Sequence, residues 1–285
     1  MTGRRQIGRT RFLRRVSPLG HERLLAFERL RRRNPLVRGL VAPVRWWYRR
    51  GSLRVNAGLG AGLRLPTAYI PVSHAHAGLL TSGMLELPVQ EAMRRLLGPG
   101  DVLYDVGANI GFFALAGARR VGPAGAVYAF EPVPENAAAI RAGAELNELA
   151  HLEVVEHAAG RAAGRDRLLL VEDLSWSHLE SRGWHPRTTD TLEIEVVAID
   201  DLVAAGRIRP PQLVKIDVEG GEVDVLAGMR KTIEEHRPAI VCELHDTGAA
   251  FVEAMNELGY ATSNLEGKEP VLDAPPDVHA LATPR

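Results

Sequence analysis

The chain has 285 residues, 46% hydrophobic and 25% charged, with 28 Gly, 18 Pro and no formal net charge. That composition excludes disorder throughout and suits one large domain with an extension, or two small ones. No apolar run approaches the ~18–20 residues of a membrane-spanning helix, and a single cysteine, Cys242, excludes a disulfide framework or a multi-cysteine metal cluster, so a reducing, cytoplasmic setting is expected.

Neutrality hides an asymmetry. Residues 1–50 hold fifteen Arg against Glu22 and Glu28, a balance of +13, so residues 51–285 carry −13. Arg interrupts every apolar stretch of this basic arm, which rules against a secretory leader, and Ser17 as its sole serine counts against a transit peptide. Further along, Leu36, Leu40, Val41, Val44 and Trp47 form an apolar stripe beside Arg38, Arg45, Arg49 and Arg50, interrupted by Pro43. Two readings stay open: a cap helix packed on the main domain, or a peripheral contact of residues 1–50 with an anionic membrane leaflet or other polyanion. Residues 1–74 are read as a basic extension and 75–285 as the main domain.

From about Glu86 short apolar runs alternate with helical-period segments, the pattern of an α/β domain with a doubly wound, mostly parallel sheet. The spacing predicts strands near 102–106, 126–130, 152–157, 213–217 and 239–244, and helices near 87–97, 111–120, 134–147, 221–235 and 248–258. Between about Gly160 and Pro210 the runs RLLLV and LEIEVV predict an antiparallel insertion. The tail from Gly267, with Pro270, Pro275, Pro276 and Pro284, has little pattern and is expected to end in an edge strand or to fray.

Residues 100–115, GDVLYDVGANIGFFAL, carry the strongest chemical signal: a strand ending near Asp105, a glycine turn, then a helix start whose N–H groups face a ligand. Twenty residues beyond Gly111 the strand AVYAF ends at Glu131, a carboxylate placed to accept ribose hydroxyls. Asn109 stands where a dinucleotide fingerprint has its second glycine, so a nucleoside cofactor of another kind is expected.

Five segments, DVGANIG, FEPVPEN, IDDL, VKIDVEGGEVDVLAG and PAIVCELH, resemble in sequence and order the motifs of the FkbM-type family of S-adenosylmethionine-dependent methyltransferases. The resemblance spans about Gly83 to His245 and leaves out the basic arm. It implies a class I methyltransferase fold, Rossmann-like, with a seven-stranded sheet whose last strand is antiparallel, and O-methylation of a sugar, polyketide or related small molecule. It also implies a cofactor site in which Asp105, Gly107, Ala108, Asn109 and Gly111 hold the methionine part and Glu131 the ribose. Pro132 and Asn136 would lie beside adenine and ribose, and His157 would border the base.

Chemistry is expected at the carboxyl ends of the parallel strands. There Asp217 and Glu219 follow one strand, with Glu222 just beyond, and Glu243 and His245 end the next. Asp217 is read as organiser or general base, His245 as the second choice, because methyl transfer to oxygen needs an aligned hydroxyl and a group to take its proton. Lys215 shares a face with Asp217, where a salt bridge is as reasonable as catalysis. Two or three carboxylates and an imidazole can bind a divalent metal, yet the spacing matches no dedicated ligand motif, so none is favoured. Trp176, His178, Trp184 and His185 in the insertion are candidates to contact a small-molecule or saccharide acceptor or to pack the insertion. Asp200-Asp201 reads as a helix cap. The basic arm keeps a nucleic-acid methyltransferase or a non-catalytic adaptor as alternatives, but no motif for exocyclic amines and no strand-end cysteine nucleophile supports a nucleic-acid substrate.

Overall fold

The computed structural model describes residues 51–69, 74–171, 178–179 and 188–285, with the backbone alone for 74–77, 170–171, 178–179 and 188–189. The arginine-rich segment 1–50, for which membrane or polyanion contact was considered, and Trp176, Trp184 and His185 lie outside the described residues.

The central sheet has seven strands: β3 (Val102–Val106), β4 (Ala126–Phe130), β5 (Leu152–Val155), β10 (Leu213–Ile216), β11 (Ala239–His245), β12 (Tyr260–Asn264) and β13 (Asp277–Pro284). Their order is β12-β13-β11-β10-β3-β4-β5. All pairs among β11, β10, β3, β4 and β5 are parallel, and β13 runs antiparallel to both β11 and β12. The fold is the expected class I methyltransferase arrangement, with the order turning back on either side of β3 and β10. Both faces of the sheet are covered, which is why the central strands read as continuous apolar runs: all five residues of β3 are buried.

Helices α2 (Leu87–Leu96), α3 (Phe112–Val121) and α4 (Pro134–Leu146) cover one face through Val89, Met93, Leu115 and Ile140. A hairpin of β1 (Ser52–Arg54) and β2 (Arg64–Pro66) lies within the segment read as an extension, and its Val55, Leu63 and Leu65 join the same core. On the other face α6 (Glu222–Gly228), α7 (Arg230–His236) and α8 (Gly248–Glu257) bury Val225, Leu226, Met229, Ile233, Phe251 and Met255, the stripes that the helical period predicts. A short helix, α1 (His74–Ser82), precedes them in the chain, and α5 (Ile199–Ala204) leads into β10. No helix among the described residues is long and apolar enough to cross a membrane.

Three differences from the sequence reading have physical causes. The helix expected over 221–235 is two helices, broken at Met229, whose φ of −126° and ψ of 19° leave the helical region just after Gly228, a poor helix former that lies against the carbonyl of Gly160. Asp200 is a cap, but of α7: its carboxylate accepts from the backbone N–H groups of Lys231 (3.0 Å) and Thr232 (2.8 Å) and from Thr232 Oγ1 (2.7 Å). The tail does not fray or sit at an edge. Residues 277–284 form β13 inside the sheet with Val278, Ala280, Leu281 and Ala282 buried, and a strand covered on both faces loses the alternation that would have announced it.

The insertion between β5 and β10 is a second sheet, ordered β6-β9-β7-β8, from β6 (Ala158–Ala159), β7 (Gly164–Val171), β8 (His178–Leu179) and β9 (Thr188–Val197). The antiparallel pair that the sequence predicts is β7 with β9. It packs Leu168 and Ile194 against Val133, at the start of α4.

Candidate active site

A cleft of about 700 Å³, its open mouth included, lies at the carboxyl ends of β3, β4 and β10. Gly107 and Asn109 line it from the turn after β3, Glu131 and Pro132 from the end of β4, and Asn136 from α4. Ala158, Ala159 and Leu168 form its wall on the inserted sheet, and Asp217, Val218, Glu219 and Gly221 enter from the end of β10. Sheet topology explains the convergence, since the loops on either side of the β3/β10 switch point open to the same side.

Glu131 is buried, and Oε2 accepts from the backbone N–H of Asn109 at 2.7 Å while Oε1 accepts from the N–H of Val133 at 2.9 Å and from Asn136 Nδ2 at 3.3 Å. Its carboxylate thus clamps the glycine turn to the start of α4. Burial raises its pKa, and these three hydrogen bonds only partly offset the effect, leaving it at about 7. Asn136, with 6% exposure, belongs to this clamp and not to a solvated helix face.

The other predicted cofactor residues divide. Gly107, Asn109, Glu131, Pro132 and Asn136 come together in the cleft; Ala108 and Gly111 shape the turn behind it, Gly111 as the left-handed residue before α3. His157 stands apart, its Nε2 3.0 Å from Glu195 of β9, while the neighbouring Ala158 and Ala159 reach the cleft. Asp105 is not among the residues lining the cleft. It is fully buried, beside the backbone of Ala114 and 3.7 Å from Lys215 Nζ, its register partner across β3 and β10. Burial raises its pKa to about 6 despite that cation.

Lys215 Nζ also donates to Asp217 Oδ2 at 3.1 Å and lies 5.2 Å from the centroid of the Phe113 ring. Burial lowers the lysine pKa, but Asp217 and Asp105 outweigh that and move it upward. Burial likewise raises the Asp217 pKa against the pull of Lys215. The salt bridge anticipated from the sequence therefore exists, and Lys215 links β3, which leads into the glycine turn, to the end of β10.

Beyond Asp217 the site continues as one buried polar network. His245 Nδ1 lies 2.8 Å from Glu222 Oε1, and Thr247 Oγ1 donates to Glu222 Oε2 at 3.0 Å; Glu222 is wholly inaccessible. His245 Nε2 faces Glu219 Oε2 at 3.4 Å and Glu243 Oε1 at 3.7 Å. Burial lowers the imidazole pKa, but the Glu222 hydrogen bond and the charges of Glu219, Glu243 and Asp217 outweigh it and hold it at about 9. On the far side His279 Nε2 sits 3.3 Å from both Glu86 and Glu243, and Nδ1 is 2.5 Å from Glu266. Those carboxylates overcome burial and raise the His279 pKa to about 11.

Sequence reasoning missed Glu86, Glu266 and His279 in this network, and Leu168 in the cleft wall. His279 lies in the tail that carried no strand signal, and Leu168 is one of three consecutive leucines that no one-dimensional pattern separates. Glu86 and Glu219 both adopt positive φ, 41° and 51°, an outlier backbone at two residues of one network. Cys242 is inaccessible and burial raises its thiol pKa, so it is an inert core residue. The backbone of His178 pairs with Leu169 in β8, next to the cleft-lining Leu168.

The residues in the cleft fit S-adenosylmethionine. Glu131 supplies a carboxylate at the strand end where a ribose diol belongs, the Gly107 turn brings backbone close, and Val133, Ala159 and Leu168 give an apolar wall for a base. Sheet order, antiparallel final strand and cofactor turn together define a class I S-adenosylmethionine-dependent methyltransferase. The chain matches the sequence profile of the Methyltransferase FkbM domain over residues 105–264. It is 32% identical over 254 residues to the 31-O-demethyl-FK506 methyltransferase FkbM of Streptomyces tacrolimicus, covering 78% of this chain and 96% of that protein. It is also 32% identical over 162 residues to the hexuronic acid methyltransferase AglP of Haloferax volcanii, covering 55% of this chain and 62% of that one. Among solved structures, a methyltransferase FkbM from Methylobacillus flagellatus superposes with a TM-score of 0.44 at 18% identity, over 74% of this chain and 54% of that longer chain. The protein belongs to the FkbM methyltransferase family.

Proposed function

We propose that the protein methylates a hydroxyl oxygen of a small-molecule or saccharide acceptor, with Asp217 organising that hydroxyl. The observation that carries this reading is that Asp217 and Glu219 line the same cleft as Gly107, Asn109 and Glu131, so two carboxylates stand within the compartment that suits the cofactor. Support comes also from relatives whose names record 31-O-demethyl-FK506 and a hexuronic acid as the compounds methylated.

When bound, S-adenosylmethionine supplies an electrophilic methyl group and leaves as a neutral thioether. Glu131 would hold its ribose and the Gly107–Asn109 turn its amino-acid end. Asp217, fixed by Lys215, orients the acceptor O–H and draws on its proton, and alignment supplies much of the rate. Burial makes Asp217 a stronger base than an ordinary carboxylate. The carboxylates around His245 raise its pKa to about 9, so its imidazole is a stronger base than an ordinary histidine, and it stands beside Glu219 and Glu243 as the second choice behind Asp217. Trp176, His178, Trp184 and His185 remain proposed acceptor contacts, and residues 1–50 a proposed peripheral contact with an anionic membrane or other polyanion in a cytoplasmic setting.

The test combines binding and turnover. Glu131→Ala weakens S-adenosylhomocysteine binding in calorimetry by the ~1.5–3 kcal/mol of a hydrogen bond to a charged group. Asp217→Asn lowers methyl transfer to a hexuronic acid or to 31-O-demethyl-FK506 by about 10²–10⁴-fold, scored by mass spectrometry, while cofactor binding stays within about threefold. Transfer by Asp217→Asn at the wild-type rate overturns the role given to Asp217.

A further inference from the structure

Asp217, Glu243 and His245 each offer one ligand atom, and those atoms all lie within 4.8 Å of one another. An ion with ~2.1 Å bonds holds its ligand atoms about 3–3.4 Å apart, so small side-chain rotations close this set around one cation. The 3.7 Å gap between His245 Nε2 and Glu243 Oε1 is already close to that spacing.

His245 is oriented as a metal-binding imidazole is. Its Nδ1 is engaged by the inaccessible Glu222, which Thr247 holds in turn, and its Nε2 is buried, has no hydrogen-bond partner and points at the carboxylates. A carboxylate on one ring nitrogen fixes the ring and makes the other nitrogen a better donor to a metal, and an ion binding there releases the Nε2 proton to solvent. Glu243 is steered from its other end, since His279 lies 3.3 Å from Oε2 and leaves Oε1 toward His245. Asp217 lines the cleft, so an ion on these three residues has an open side facing it. The second group of this kind, Glu86, Glu243 and His279, lacks that outlet, because none of its residues lines the cleft.

We propose that Asp217, Glu243 and His245 form a divalent transition-metal site at the wall of the cleft, oriented by Glu222, that takes the acceptor hydroxyl as a further ligand. Mixed carboxylate and imidazole donors suit Mn²⁺, which accepts both, better than Mg²⁺, which prefers oxygen alone. A hydroxyl on such an ion is fixed in place and more acidic. Asp217 then organises the acceptor through the metal and Glu219, 3.4 Å from His245, is left to take the proton. This deepens the methyltransferase reading and rests on it for the acceptor, though not for the ion.

The test reads the ion and not the reaction. The full chain is stripped with chelator and titrated with MnCl₂, followed by electron paramagnetic resonance, with S-adenosylhomocysteine binding measured in parallel. One equivalent of bound Mn²⁺ is expected, with a nitrogen hyperfine coupling from the imidazole. His245→Ala abolishes the coupling and lowers affinity at least about tenfold, and Glu222→Gln lowers affinity about 10–100-fold while keeping the coupling. Both variants retain S-adenosylhomocysteine binding, which shows that they are folded. Absence of Mn²⁺ binding by a wild type that binds S-adenosylhomocysteine overturns the metal site and leaves the methyltransferase reading intact. Binding without nitrogen coupling, or binding unchanged by His245→Ala, overturns it equally. Loss of S-adenosylhomocysteine binding by the wild type with Mn²⁺ binding retained would instead count against the cofactor cleft.

Discussion

Gly107 lies against Asp217 so closely that a β-carbon on the glycine would stand 1.8 Å from the aspartate carbonyl oxygen. The same glycine adopts φ +77°, which only glycine takes without strain. Cofactor turn and acid-bearing strand end are thus locked in backbone contact, and the distance between the two functional halves of the cleft is fixed before any ligand arrives.

Gly107→Ala should therefore damage both halves at once. It is expected to destabilise the protein by about 3 kcal/mol, from strain and from forced separation of the loops. Urea unfolding reads the loss, and S-adenosylhomocysteine affinity falls with it. Wild-type stability in the variant would show that the two loops can part freely.

Stability should fall as pH rises through the range that Glu131 governs. Its folded pKa is raised from 4.5 to about 7, so the native state holds a proton that the unfolded chain has lost. The stabilisation is complete below pH 4.5 and gone above about 7, a difference of about 3 kcal/mol. Comparing wild type with Glu131→Gln between pH 5 and 8 isolates it, since the variant lacks this slope. A ribose diol favours the ionised carboxylate, so cofactor affinity should move the other way and rise up to about tenfold over the same range.

Replacing His279 by Gln leaves Glu86, Glu243 and Glu266 facing one another without their shared cation. A cost of about 3 kcal/mol is expected for breaking a buried ion cluster. Because the histidine pKa is raised from 6.5 to about 11, the gap between wild type and variant is largest below pH 6.5 and narrows steadily above it. Thermal unfolding at pH 6.5 and 9 measures the change, and a gap that widened with pH would refute this account of the network.

Asp200→Ala removes the acceptor for three donors at the start of α7. It should cost about 1–2 kcal/mol in chemical denaturation and leave S-adenosylhomocysteine affinity unchanged, the result of a cap remote from the cleft.

How far the sequence anticipated these features depends on how local each signal is. The five parallel strands and the glycine turn are each encoded within about ten consecutive residues, and the matching pattern placed Asp105, Gly107, Glu131 and Asp217 on strand ends correctly. The clamp between Glu131, Asn109 and Asn136 was only half visible, because the motif names the residues and not their hydrogen bonds. The His279 network was invisible: Glu86, Glu243, Glu266 and His279 come from four separate parts of the chain, and only the β11/β13 register, which sets His279 opposite Glu243, brings them together. Asp105 shows a different limit. The motif names the residue, but its pairing with Lys215 across the β3/β10 register inside the sheet is not written in the motif.

The insertion of β13 between β11 and β12 also sets how the protein can fail. Were residues 277–284 peeled away or clipped, two strand edges would open instead of one, each presenting unpaired backbone groups to other molecules. The same event would withdraw His279 from Glu243 and so unsettle the polar network behind the cleft. Aggregation and loss of the site would then begin together, from a segment eight residues long.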